Sequence, residues 1–132
     1  MRIAASLFAF GWLSLPLTAA PPAPTDSELI AKLIAALKDS DPDVRANLAQ
    51  ALAKIGLPAV EPLVEALADP LPDRRAGAAY ALGLLGSPAN SALPQLLDLL
   101  DDKETDVRRQ ASQAIVRVLP SAKLPAKPTG GR

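Results

Sequence analysis

From Thr25 to Leu119 apolar residues recur at the three-to-four spacing of amphipathic helices, punctuated by proline, glycine and aspartate. Thr25-x-x-Glu28 matches a capping box, and Leu29, Leu33, Ile34 and Leu37 then share one stripe. Asp41-Pro42 reads as an N-cap and first helical residue. Val44, Leu48, Ala51, Leu52 and Ile55 form the second stripe, which Gly56 stops. Pro58 opens a third helix with Leu63, Val64 and Leu67 apolar. Pro72-Asp73 opens a fourth, carrying Ala78, Ala81, Leu82 and Leu85 and stopped by Gly86. Ser87-Pro88 opens a fifth, running to about Leu100. The sixth buries Val107, Ala111, Ala114, Ile115 and Val118 and ends before Pro120. Pro62 and Pro94 sit at matching places in the third and fifth helices, so a kink or a delayed start is expected there.

The helices repeat as pairs. Asp43, Arg45, Ala46, Ala49, Ala51, Leu52 and Gly56 fall on Asp73, Arg75, Ala76, Ala79, Ala81, Leu82 and Gly86, a period of about 30 residues. Asp106, Arg108, Ala111, Ala114 and Ile115 continue it. Such a repeat predicts an all-α fold, a short α-solenoid of three antiparallel helix pairs over 27–56, 57–86 and 87–119. The D-x-D-V-R-x-x-A-x-x-A-L-x-x-[IL]-G pattern, followed by x-P-A-V-x-P-L-x-x-A-L, resembles HEAT repeats across about residues 27–118. It is most similar to the short HEAT-like kind also found in phycobilin lyase subunits. The resemblance implies a binding scaffold, and leaves a lyase-type auxiliary subunit assisting chromophore attachment as an alternative.

The ends differ from the repeats. Arg2, the apolar run Ile3 to Leu15, Pro16 and the small residues Thr18-Ala19-Ala20 have the layout of a signal peptide over 1–20. Export to the periplasm or medium is expected. The alternative is a membrane-tethered structural protein held by residues 3–17, although an apolar run this short falls below the ~20 residues of a span. Residues 21–26 form a proline-rich linker, and 120–132 a Pro/Gly/Lys tail without apolar period, expected to be disordered.

Composition narrows the chemistry. Lys+Arg and Asp+Glu are both 14, so no net charge draws the chain to nucleic acid. There is no Cys and no His, which removes disulfides and the commonest general base and metal ligand. No phosphate loop, zinc spacing or nucleophile–base pair is present. An enzyme is not expected, and no cofactor or metal is called for. HEAT-like di-iron hydroxylases use His-Glu motifs, which this chain lacks. HEAT-like DNA glycosylases need a basic aromatic cleft, whereas Arg74, Arg75, Arg108, Arg109 and Arg117 are offset by acids.

Asp43, Asp73 and Asp106 fall in the first turn of each second helix, where the dipole favours acid. Arg45, Arg75 and Arg108 follow two positions on. They read as partners of a neighbouring repeat's acidic turn, with an anion-binding row as the alternative. Ala46, Ala49 and Ala53, matched by Ala76, Ala79 and Gly83, leave room for close helix approach. The third repeat has Arg109, Ser112 and Val116 there, which suits a terminal flank meeting water. The remaining positions are expected to line a concave face, as the resemblance implies. They are Asn47, Gln50 and Lys54, then Gly77, Tyr80 and Leu84, then Gln110, Gln113 and Arg117. Tyr80 and Leu84 beside a Gly77 gap, ringed by amides and cations, read as the anchor for a protein or peptide partner. Tyr80 filling space between helices is the competing reading.

Overall fold

The computed structural model describes residues 22–120. The expected signal peptide and nearly all of the expected tail lie outside them. Among the described residues there are six α-helices and no strand. They form three pairs: α1 (Asp26–Ala36) with α2 (Pro42–Ile55), α3 (Val60–Ala66) with α4 (Pro72–Leu85), and α5 (Leu93–Asp98) with α6 (Thr105–Val118). The second helices α2, α4 and α6 make the inner row of a short α-solenoid, with α1, α3 and α5 outside it.

Local chemistry starts and stops these helices as the sequence requires. The Thr25 hydroxyl accepts from the Glu28 N–H at 3.3 Å while Glu28 accepts from the Thr25 N–H at 3.4 Å, closing the capping box on α1. Asp41 accepts from the Asp43 N–H at 2.8 Å and Pro42 opens α2. At Gly56 and Gly86 the chain turns into the next pair with φ of +86° and +71°, a conformation costly for any residue with a Cβ.

The outer helices start late. Leu57–Ala59 and Ser87–Ala92 are 3₁₀ turns, and only then do α3 and α5 begin. This delay is the one expected of Pro62 and Pro94. The two prolines are not equivalent, however. Pro62 is the third residue of α3 and Pro94 the second of α5. The 3₁₀ segment is 6 residues long in the third repeat and 3 in the second, which shifts the register.

The core is aliphatic and thin. Leu37, Leu52, Leu63, Leu82, Leu96, Val107 and Val118 are its largest fully buried side chains. Leu52 and Leu82 hold the same central position in α2 and α4. Small residues bring the inner helices together: Ala49 and Ala79 are fully buried, and a Cβ on Gly83 would lie 3.0 Å from Ala114 Cα. At that separation two helix backbones are in contact, with no side chain between them. Leu29 and Val44 belong to predicted stripes yet are exposed, because their face of the first pair has no earlier pair against it among the described residues.

Candidate functional site

A cleft of about 210 Å³ runs across all three inner helices. Pro42, Arg45 and Ala46 contribute from α2, Ala76, Gly77 and Tyr80 from α4, and Asp106 and Gln110 from α6. Its floor is made by alanines, a glycine and the Tyr80 ring. Arg45 and Asp106 bring opposite charges to its walls. Tyr80 is half-buried, its ring packed on the core. It therefore fills space between the helices and also lines the cleft.

Gln110 brings a buried polar atom to the cleft. Its Oε1 is out of contact with solvent and accepts no hydrogen bond among the described residues. A buried acceptor without a donor costs about 1–3 kcal/mol of free energy.

Of the residues expected on the concave face, the cleft gathers Gly77, Tyr80 and Gln110. Asn47, Gln50, Lys54, Gln113 and Arg117 are exposed and lie outside its lining, and Leu84 is half-buried against the core. Gly77 is not a gap in this surface. A Cβ there would meet Leu37 Cδ2 at 3.0 Å, so its missing side chain admits the preceding repeat. Pro42, Arg45, Ala46, Ala76 and Asp106 complete the cleft; from sequence they read first as structural, with an anion-binding row the alternative for Arg45. Their repeat-to-repeat recurrence hid them, since a recurring residue looks like scaffold.

The arginine row is structural. Arg45 Nη1 donates to the carbonyls of Asp39 and Ser40 at 2.7 and 3.1 Å. Arg75 Nη1 does the same to Asp69 and Pro70 at 2.9 and 3.0 Å. Arg108 Nη1 does so to Asp102 and Lys103 at 2.7 and 3.1 Å. Each arginine thus clamps the turn that leads into its own helix. Asp39, Asp69 and Asp102 brace the same turns, accepting the backbone N–H two residues on at 2.9 Å in every case.

One clamp also crosses to its neighbour. Arg75 forks onto the Asp102 carboxylate, Nε to Oδ2 at 2.8 Å and Nη2 to Oδ1 at 3.1 Å. Arg45 makes only a 3.9 Å contact with Asp73. Asp69, the counterpart of Asp102, is taken instead by Arg74 at 3.0 Å. Burial raises the Asp102 carboxyl, but the Arg75 and Glu104 hydrogen bonds and the Arg75 charge outweigh it and hold it below the usual carboxylate range. Asp69 is lowered chiefly by the Leu71 N–H, against the effect of burial, with Arg74 and then Arg75 adding to it.

The stacked helix pairs, glycine stops and clamped turns have a counterpart among known families. A family model described as HEAT repeats matches residues 30–116. The chain belongs to the HEAT-repeat family. The match is to HEAT repeats at large and does not single out the phycobilin-lyase kind. No curated protein matches the chain. HEAT repeats build helical scaffolds, and the three described here do so with their inner row. No helix among the described residues is long and apolar enough to cross a membrane.

Proposed function

We propose that this HEAT protein is an exported, non-catalytic scaffold that captures a protein or peptide segment in the cleft beside Tyr80. The observation that carries the reading is the cleft itself, where the half-buried Tyr80 lines a surface shared by all three inner helices, with Arg45, Asp106 and Gln110 beside it. An extended segment fits this cleft. A small apolar side chain rests against Tyr80 over the alanine floor, and the segment's main chain meets the polar side chains at the walls. Export rests on the signal-peptide layout of residues 1–20.

Two measurements test this. Partners crosslinked in the native host are identified by mass spectrometry with the wild-type chain and with Tyr80→Ala. Truncating an anchor costs about 2 kcal/mol or more, so the variant is expected to lose the partner while its helical circular dichroism stays nearly intact. Full retention by a folded variant moves the site to the convex side, where Pro62 lines grooves between α1 and α3. Intact-mass analysis of the mature protein is expected to show loss of about 19–20 residues. Full-length protein in the cytosol would refute export.

A further inference from the structure

The two ends of the stack carry halves of the joint that binds the second repeat to the third. In that joint Arg75 clamps its own turn through Nη1 and gives Nε and Nη2 to Asp102. Asp102 keeps Oδ2 for the arginine because Oδ1 is the atom shared with the Glu104 N–H. The position that Arg74 occupies in the second repeat is Val107 in the third, so no local arginine competes for Asp102. Between the first and second repeats the fork does not form, because Arg74 takes Asp69 and bridges the two repeats differently, through Nη2 to the Ala35 carbonyl at 3.2 Å.

At the open ends much of the working joint recurs. Arg108 clamps its turn through Nη1 as Arg75 does; its Nη2 donates to the exposed Thr105 hydroxyl at 3.0 Å, a bond that a carboxylate would have to displace, and its Nε has no partner among the described residues. Asp39 at the other end accepts the Asp41 N–H on Oδ1 and has no ion pair among the described residues. Its local competitor position holds Val44, the counterpart of Val107.

The apolar surfaces follow the same logic. Leu100 is the counterpart of Leu37, which packs on the next repeat at Gly77, and Val116 is the counterpart of Gly83, which packs on Ala114. Both are exposed, Val116 at 68%, together with Leu97 at 52%. On the opposite end Leu29 and Val44 are exposed where their counterparts Ala92 and Val107 are fully buried.

We infer that a second copy of this chain docks head to tail, its first repeat on the third repeat of its neighbour, joined by Arg108 and the second copy's Asp39. The contact is heterologous, so it continues the superhelix as an open stack. Arg109 and Ser112 lie exposed within the same face. They make it as mixed as a reversible interface and less apolar than an obligate one.

The test is sedimentation of the full chain over a concentration series. The weight-average mass is expected to rise above that of the monomer, reaching dimer and higher by about 1 mM. Arg108→Asp is expected to weaken association about tenfold or more, and Asp39→Arg in the same chain to restore it. Val116→Glu leaves the Arg108 clamp untouched and is expected to weaken association too, which separates docking from any folding defect. Direction is read with cysteines, of which the chain has none. By the register of Gly83 on Ala114, a Val116→Cys chain and an Ala51→Cys chain are expected to crosslink when mixed and not when alone. The inference is overturned by a monomer at every concentration, by Arg108→Asp and Val116→Glu chains that associate like wild type, by a charge exchange that restores nothing, or by crosslinking of either cysteine chain alone. Monomeric behaviour with Val116 protected from solvent would mean that the chain's own residues beyond 120 cover the face.

Discussion

Arg75 and Asp102 stand 27 residues apart in sequence and meet in a two-pronged hydrogen bond at 2.8 and 3.1 Å. Their side chains are only about a tenth exposed, so the pair is shielded from solvent and salt. It bolts the third repeat to the second at the mouth of the inner row. The same arginine holds its own turn, and Asp102 holds another, so two turns and the joint between them depend on two side chains.

Asp102→Ala is therefore expected to cost about 3 kcal/mol, since it strands a largely buried guanidinium. Thermal unfolding followed by circular dichroism measures it. Asp43→Ala, at an exposed first-turn position, is the comparison and is expected to cost well under half as much.

The same pair sets an acid limit. The Asp102 carboxyl is held below its ordinary value in the folded chain, so the unfolded chain binds that proton more readily. Its stabilising effect is complete above the unfolded value of about 3.9 and fades as pH falls through the lower folded value. Asp69 acts in the same direction. Denaturant midpoints from pH 7 to pH 2 are expected to stay level and then drop below about pH 4. Asp102→Asn is expected to flatten that drop while lowering the plateau.

Two glycines of α4 are expected to respond differently to alanine. Replacing a helical glycine gains about 1 kcal/mol of propensity when space allows. At Gly77 the new Cβ meets the end of the Leu37 side chain, which can rotate aside. At Gly83 it meets the Ala114 backbone at 3.0 Å, which cannot move without parting α4 from α6. Gly77→Ala is expected within about 1 kcal/mol of wild type, and Gly83→Ala to be destabilising by about 1–3 kcal/mol. Equal midpoints for the two would show that the inner helices are not in backbone contact.

Leu82 is fully buried at the centre of α4. Leu82→Ala is expected to cost about 2–4 kcal/mol, by lost burial and the cavity left behind. With only three repeats to share the loss, the chain has little reserve. An unchanged melting temperature would contradict the phase assigned to α4.

The helices, their caps and their stops were legible because each depends on residues a few positions apart. Thr25 with Glu28, Asp41 with Pro42, and Gly56 and Gly86 all act locally. The close approach of α4 and α6 was legible too, as a run of small residues. The cleft was only half legible. Tyr80 drew attention by departing from its repeat mates, but which neighbours join it depends on how the three helices splay. Gly77 faces outward by its spacing on the helix, yet the superhelix turns it toward Leu37. The bracing role of Asp102 was not visible, because an aspartate before a helix and one inside its first turn look alike until a partner selects one.

The turn clamps divide their labour in a way that bears on how such a chain changes length. The bonds from Arg45, Arg75 and Arg108 to the carbonyls before their helices close within a repeat, whereas the Arg75 fork to a carboxylate and the Arg74 bond to the Ala35 carbonyl cross a boundary. A tandem duplication of one repeat unit in the gene thus yields a segment whose turn is already secured. Which fastener joins it to its neighbours then depends on a single codon, at the position held by Val44, Arg74 and Val107. Valine there leaves the carboxylate to the repeat before it, whereas arginine keeps it at home and reaches back to a carbonyl of that repeat instead. Length and the kind of joint can in this way be inherited separately.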